Sequence, residues 1–553
     1  MSIATDMDMD ADAGGETREA PRTLLARDPA TGVTLGEVQA TAPEQIEQVV
    51  TGVARVQPLW ALLRVVDRAR YMRRMAQAIV DEFDALTETI GREQGRPRAE
   101  VATMELLSAI DALNWIAQDG AQVLGGRRVG THRSLTIGIG ARARVAYEPY
   151  GTIGVIGAGS APFAQPLSQI AGALLAGNGV VFKPARRACL AGEAIMRVLG
   201  RAGLPEGLVA IAHGGAQVGV ALARAPVGKV LFTGSPAVGR EVARECVSRE
   251  REVTVELGGK DAMLVLADAD LARAVDGALW AGCAGAGQAR GAVERVYVAR
   301  EVAELFVEQL VARARGLSVG DPAGGQSPAG RRVQVGPLAS ERRLAHVSEL
   351  VEEAVAQGAR LRCGGPLAQA PSGCSGAFYA PAVVTGATHE MRLMREPLDG
   401  PVLAVVSVDS VEQAIALAND CEYGLGASVW TADRYRGTRI ARELRAGMVW
   451  LNDHLPGPML TRGPWGAASG AGLGKTLGET GLRACAQEKL IAWSPSGLRG
   501  LWWGPYDETT VRAARAVARL RSGRESDRER AWRRGGPAIV RVGARMLGRG
   551  VPR

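Results

Sequence analysis

Aromatic side chains make up only 4% of this 553-residue chain, and histidine occurs five times. His132, His213, His346, His389 and His454 are isolated from one another, which argues against a histidine-based metal centre. The seven cysteines, at 189, 246, 283, 363, 374, 421 and 485, contain no CxxC pair. A dispersed, odd-numbered set excludes a disulfide scaffold and points to reduced thiols. No apolar run is long enough to span a bilayer; the best, Ile170–Phe182, is broken by three glycines and Asn178. The opening MSIATDMDMDADAGGETREA is acidic and has no apolar core, unlike a secretory signal. A cytoplasmic protein is the simplest expectation.

The formal charge of +8 is unevenly placed. Residues 497–553 carry fourteen arginines against five acidic residues, so the remaining chain is close to neutral. A neutral body with a basic tail lacks the electrostatic footprint of a nucleic-acid binder. The tail reads as a solvated extension. A weak contact with an anionic membrane surface is the alternative, because Ile539, Val540, Val542, Met546 and Leu547 interleave with arginines.

What the chain has in abundance is glycine, 71 residues, and 47% hydrophobic residues over a length that supports more than one core. Residues 1–24 read as a disordered acidic tail. Amphipathic periodicity predicts helices over about 43–65, 68–95 and 101–118. An alternating pattern near 134–150 predicts extended strands, with a complementary strand at Glu488–Trp493. From Gly151 strands alternate with helices: TIGVIGA, then a helix to Ala176, then Gly179–Lys183, and later Val230–Phe232 running into Thr233-Gly234-Ser235. That alternation predicts a doubly wound, largely parallel sheet. A second α/β block follows residue 280.

The motif Glu256-Leu257-Gly258-Gly259-Lys260, followed by Gly287-Gln288, resembles the catalytic core of the aldehyde dehydrogenase superfamily. Further matching segments are Val319-Gly320-Asp321-Pro322, Gly400-Pro401-Val402 and Asn452-Asp453-His454-Leu455, so the resemblance covers about residues 25–495. Among members it resembles the bacterial succinate-semialdehyde type. The resemblance implies an aldehyde dehydrogenase-like α/β fold: a Rossmann-type cofactor domain over 25–279, a catalytic domain over 280–470, and a small oligomerisation sheet. That sheet would use the 134–150 strands and the return at 471–496, and 497–553 would form a basic extension. It also implies a homo-oligomer, an aldehyde or carboxylate as the small-molecule ligand, NAD or NADP as cofactor, and no metal.

For the dinucleotide, Gly234, Ser235 and Gly239 open a helix after a strand, the arrangement that brings backbone amides to a pyrophosphate. By resemblance Lys183 would contact the adenosine ribose, Ser235 the pyrophosphate, and Leu257 belongs to the same cofactor set. The family has a carboxylate where this chain has Arg186. An arginine there favours a 2′-phosphate, hence NADP, unless Arg186 and Arg187 are merely solvated. At Glu396-Pro397-Leu398-Asp399, Pro397 replaces the glutamate that would hold the nicotinamide ribose.

For the chemistry, Glu256 occupies the general-base position, where Lys260 could alternatively hold it in a surface pair. Ser160 takes the place of the asparagine amide at the oxyanion position. The nucleophile position, 34 residues after Glu256 and five before Arg295, holds Arg290 instead of cysteine. A guanidinium stays protonated and is no nucleophile. Cys283 lies seven residues earlier, about 10 Å along a helix. Arg290 could plug the site by pairing with Glu256 or could bind a carboxylate or phosphate. Ser469 marks a further eroded position in the glycine-rich segment 466–472. Three functions follow: an impaired NAD(P)-dependent aldehyde dehydrogenase, a non-catalytic partner or ligand binder, or a hydrolase using Glu256 to activate water.

Overall fold

The computed structural model describes residues 23–129, 142–324, 332–455, 460–493, 503 and 506–547. The acidic tail expected over 1–24 falls outside them except for Thr23 and Leu24, which begin the edge strand Thr23–Arg27. Contacts divide the described chain into two units. One holds the residues up to Leu124 together with Pro149–Gln487; the other holds Gly125–Glu148 and the residues from Glu488 onward.

The first unit is built on two sheets. In one, the strands run Gly472–Leu473, Glu252–Leu257, Lys229–Gly234, Thr152–Ile156, Gly179–Lys183 and Val209–Ile211. All neighbours are parallel except the short Gly472–Leu473 edge. Thr152–Ile156 and Gly179–Lys183 are buried at every position, as runs covered on both faces must be. Thr152–Ile156, the first strand of this sheet along the chain, lies in its middle, so the order reverses between it and Lys229–Gly234. Such a switch point opens a crevice at the carboxyl ends of the strands.

The second sheet has seven strands in the order Arg360–Pro366, Tyr379–Thr385, Val402–Val408, Val293–Ala299, Asp261–Val265, Gly426–Trp430 and Met448–Leu451. Only Arg360–Pro366 runs antiparallel to its neighbour. The chain therefore changes sheets between Leu257 and Asp261, earlier than the boundary expected at 280. The helix Leu271–Cys283 already belongs to the second core through Ala274, Val275 and Ala278. Its apolar face would read identically on either sheet, so the hydrophobic pattern does not locate the boundary.

The helix expected over 68–95 is two, Val65–Asp81 and Phe83–Gln94. Glu82 leaves the helical region at φ −107°, ψ 14°, and its carboxylate pairs with Arg201 and, at 2.9 Å, with Arg197. The region expected as one helix over 101–118 contains a π-helical stretch, Val101–Leu107, before Ser108–Val123. No single helix among the described residues is long and apolar enough to cross a membrane.

In the second unit, Ala486–Trp493, Arg142–Pro149 and Arg127–Val129 form a three-stranded sheet. The expected strand residues 134–141 lie outside the described residues. The basic extension is not simply solvated tail, as expected, but a helical hairpin of Glu508–Leu520 and Glu525–Met546. Ala513, Ala538 and Val542 are buried between the helices, and Arg545 pairs with Asp507 at 2.8 Å. Of the interleaved apolar residues named above, Ile539, Val542 and Met546 pack in this seam, whereas Val540 and Leu547 are exposed.

Candidate active site

Glu256 lies next to the last residue of the strand Glu252–Leu257, at the carboxyl edge of the first sheet, and its side chain is 2% exposed. The nucleophile-position loop, residues 284–292, lies just before the amino end of Val293–Ala299 in the second sheet. Between these edges Arg290 Nη1 stands 2.5 Å from Glu256 Oε2. Neither Nη1 nor Nε of Arg290 makes a hydrogen bond of good geometry among the described residues, so the contact is an ion pair first. The guanidinium also lies 5.4 Å from the centre of the Trp465 ring, within cation–π range.

Both oxygens of Glu256 are engaged. Thr476 donates its hydroxyl to Oε1, and the amide of Gln165 donates to Oε2. Burial pushes the Glu256 carboxyl above the usual carboxylate range, and the Arg290 charge opposes that shift. Thr476 reaches Glu256 because Gly472 and Leu473 pair with Glu256 and Val255. Gly472, the last residue of the glycine-rich segment 466–472, begins that edge strand.

Lys260 is not the partner of Glu256. Both are buried, but Lys260 Nζ pairs with Glu294 Oε2 at 2.5 Å, and Glu294 also accepts from the Leu398 amide at 3.1 Å. Burial lowers the Lys260 ammonium and raises the Glu294 carboxyl. The lysine of the ELGGK motif therefore ties the start of the second sheet to the 396–399 segment.

The loop itself is shaped by packing. Gly287 has φ +75°, and a Cβ there would fall 2.2 Å from the backbone of Gly400. Gln288 binds the Gly285 carbonyl at 2.9 Å and accepts from the Ala339 amide at 2.9 Å, so it is a structural residue. Cys283 is buried at the helix end, outside the cavity lining, and burial pushes its thiol up to about 12. It offers no thiolate at neutral pH.

Ser160 is held through its carbonyl, which accepts from Arg96 Nη2 at 2.5 Å. Arg96 in turn pairs with the buried Glu105 at 3.2 Å, and Glu105 accepts from the amides of Phe163 and Ala164 at 3.2 and 2.8 Å. Glu105 comes from the π-helical stretch, a form often found at functional sites. Sequence patterning gave no signal for Arg96, Glu105, Gln165, Trp465 or Thr476. Their roles depend on contacts between distant segments. Together Arg96, Ser160, Gln165, Arg290, Trp465 and Thr476 line a cavity of about 70 Å³.

Lys183, Arg186, Gly234, Ser235 and Leu257 all fall at the carboxyl edge of the first sheet, beside the switch-point crevice. Ser235 is the N-cap of Pro236–Val247 yet makes no side-chain capping bond, so the first helical amides remain available to an anion. Arg186 is half-buried in a short turn and makes no ion pair among the described residues. Gly239 lies within the helix, where a Cβ would come 2.3 Å from Leu257 Cδ2; its smallness seats the helix on the strand. These residues fit the adenosine–pyrophosphate half of a dinucleotide. The nicotinamide half has no equivalent support at 396–399. Glu396 is bound to Arg392 at 2.7 Å, Pro397 has no carboxylate, and Asp399 pairs with Arg343 at 2.6 Å. No cluster of metal-binding side chains occurs among the described residues.

A model described as "Aldehyde dehydrogenase family" matches residues 17–491. The betaine aldehyde dehydrogenase of Cereibacter sphaeroides is 34% identical over 464 residues, covering 84% of this chain and 92% of that protein. A Mycobacterium tuberculosis aldehyde dehydrogenase complexed with NAD+ superposes with a TM-score of 0.80 at 30% identity, covering 88% and 98% of the two chains. An Escherichia coli NADP-dependent enzyme superposes with a TM-score of 0.79 at 28% identity, covering 86% and 95%. With the family model matching residues 17–491 and a relative 34% identical over 84% of its length, this chain belongs to the aldehyde dehydrogenase family.

Proposed function

We propose that this chain is a dinucleotide-binding member of the family that no longer carries out thiol-dependent aldehyde oxidation, its chemical site holding a ligand without turning it over. The observation that carries this reading is the 2.5 Å pair between Arg290 and Glu256. Arg290 cannot attack a carbonyl. It also withholds Glu256 from service as a base, since that carboxylate already receives Thr476, Gln165 and Arg290. The same engagement weighs against Glu256-driven hydrolysis.

Lys183, Ser235 and the amides opening Pro236–Val247 would hold the cofactor, and a bound nicotinamide would be the hydride acceptor of the family reaction. Arg186, which makes no ion pair among the described residues, favours NADP over NAD. Titration of the purified protein with each cofactor, alongside assays with betaine aldehyde, lactaldehyde and a semialdehyde, tests the reading. NADP+ binding without NADPH formation is expected. Sustained reduction of either cofactor by an aldehyde overturns it.

Self-association is part of the proposal. Ala486–Trp493 is exposed along nearly its whole length, with Leu490 and Trp493 64% and 57% exposed. Such an edge calls for pairing or cover, and light scattering is expected to report an oligomer. The seven free cysteines favour a reducing, cytoplasmic setting. A membrane-surface role for the basic hairpin is the weaker element, because part of its apolar set is spent on its own seam. Salt-sensitive retention on anionic vesicles would establish it.

A further inference from the structure

Three side chains lining the cavity beside Arg290 hold a buried polar atom without a hydrogen-bond partner among the described residues. They are Arg290 Nε, Trp465 Nε1 and Gln165 Oε1. Buried polar atoms in native interiors are nearly always satisfied. Three around one cavity mark a place whose partner is not the polypeptide. Arg290 is nine-tenths buried and Trp465 is 3% exposed, so bulk water does not serve either.

The chemistry of the three atoms is specific. Two are donors, one of them charged, and one is an acceptor. The acceptor identity of Gln165 Oε1 follows from its amide nitrogen, which is committed to Thr233 at 2.7 Å and to Glu256. Met104, Ala161, Leu455 and Leu477 supply apolar wall, and Ser108, Ser160, Ser168 and Thr476 add hydroxyl-bearing side chains. At roughly 10–15 Å³ per water-sized group, the volume holds about five such groups. The formal charges nearly cancel, with Arg96 against Glu105 and Arg290 against Glu256. A dianion such as phosphate would therefore face two carboxylates without surplus positive charge, whereas a monoanion with a neutral tail is accommodated better.

Building on the reading that Arg290 has ended thiol chemistry, we propose that this cavity binds a short hydroxycarboxylate. Its carboxylate accepts from Arg290 and Trp465, and its hydroxyl donates to Gln165 Oε1. The ligand is bound intact, and no bond is made or broken.

Calorimetric titration of the full-length protein with glycolate, acetate and inorganic phosphate tests this. Glycolate binds, acetate binds about five- to tenfold more weakly for want of one hydrogen bond, and phosphate binds more weakly still. Trp465→Phe keeps the ring but removes the donor, and weakens both carboxylates by about tenfold or more. Gln165→Met removes the glycolate advantage, so that glycolate and acetate bind alike. Should Trp465→Phe fail to fold, the Gln165→Met comparison alone decides. Absence of glycolate binding, meaning that the cavity holds only water, overturns the proposal; so does glycolate affinity untouched by both variants. These results are independent of the aldehyde assay. Turnover by the wild-type protein would sink the non-catalytic reading while leaving the titration to judge the cavity.

Discussion

The guanidinium of Arg290 and the carboxylate of Glu256 form a buried ion pair, 10% and 2% exposed, across the gap between the two sheets of one unit. Glu256 belongs to the ELGGK motif, and Arg290 follows it by 34 residues, at the position we propose as that of the missing nucleophile.

Breaking it should be costly and asymmetric. Glu256→Ala leaves a buried cation unpaired and is expected to cost about 3–5 kcal/mol. Arg290→Met should cost less under acid conditions, because the Glu256 carboxyl, already raised by burial, takes a proton. A carboxyl with a raised folded pKa favours the folded state below its unfolded value and loses that contribution as pH rises. Urea unfolding of Arg290→Met is therefore expected to show stability falling with pH more steeply than wild type. Parallel curves would refute this account.

Arg290→Cys restores the thiol without restoring the rest of the site. Ser160, Pro397 and the Gln165–Thr476 clasp on Glu256 all remain. The expected result is weak, iodoacetamide-sensitive NAD(P)H formation, on the order of a hundred- to a thousandfold below active relatives, the usual loss for one oxyanion donor. Activity equal to those relatives would mean that the other departures are neutral.

Arg186→Ala tests the cofactor preference. Loss of a charge-assisted contact to a 2′-phosphate should weaken NADP+ by about tenfold or more, with NAD+ affinity nearly unchanged. Equal effects on both cofactors would assign Arg186 to the shared part of the dinucleotide or to solvent.

Glu93 supplies a second pH-dependent element, away from the active site. Its carboxylate accepts from the amides of Leu190 and Ala191, both at 2.8 Å, at the start of Cys189–Arg201. Burial nevertheless raises its carboxyl to about 7. Against an unfolded value near 4.3, at 1.36 kcal/mol per unit, stability should fall by on the order of 3 kcal/mol between about pH 4.5 and 7. Glu93→Gln removes that dependence while retaining an acceptor. Unfolding of both proteins across this range checks it, and a constant difference between them would refute it.

Much of this molecule could be read from local pattern. Strand–helix alternation after Gly151 and continuous apolar runs such as Thr152–Ile156 announce a parallel sheet covered on both faces, because burial on both faces requires apolar residues at successive positions. The ELGGK motif identifies the family, and its spacing to Arg290 is the basis for the proposed loss of the thiol, since both are properties of residues near one another in the chain. Tertiary structure alone decided which charges meet. Lys260 could have paired with Glu256, four residues away, but the chain changes sheets between them and carries it to Glu294. Gln165 from one segment, and Trp465 and Thr476 from another in which the two are paired through their backbones, converge on Arg290 and Glu256. A buried ion pair is chosen by packing and desolvation, and these depend on what lies across the gap rather than on what comes next in the sequence.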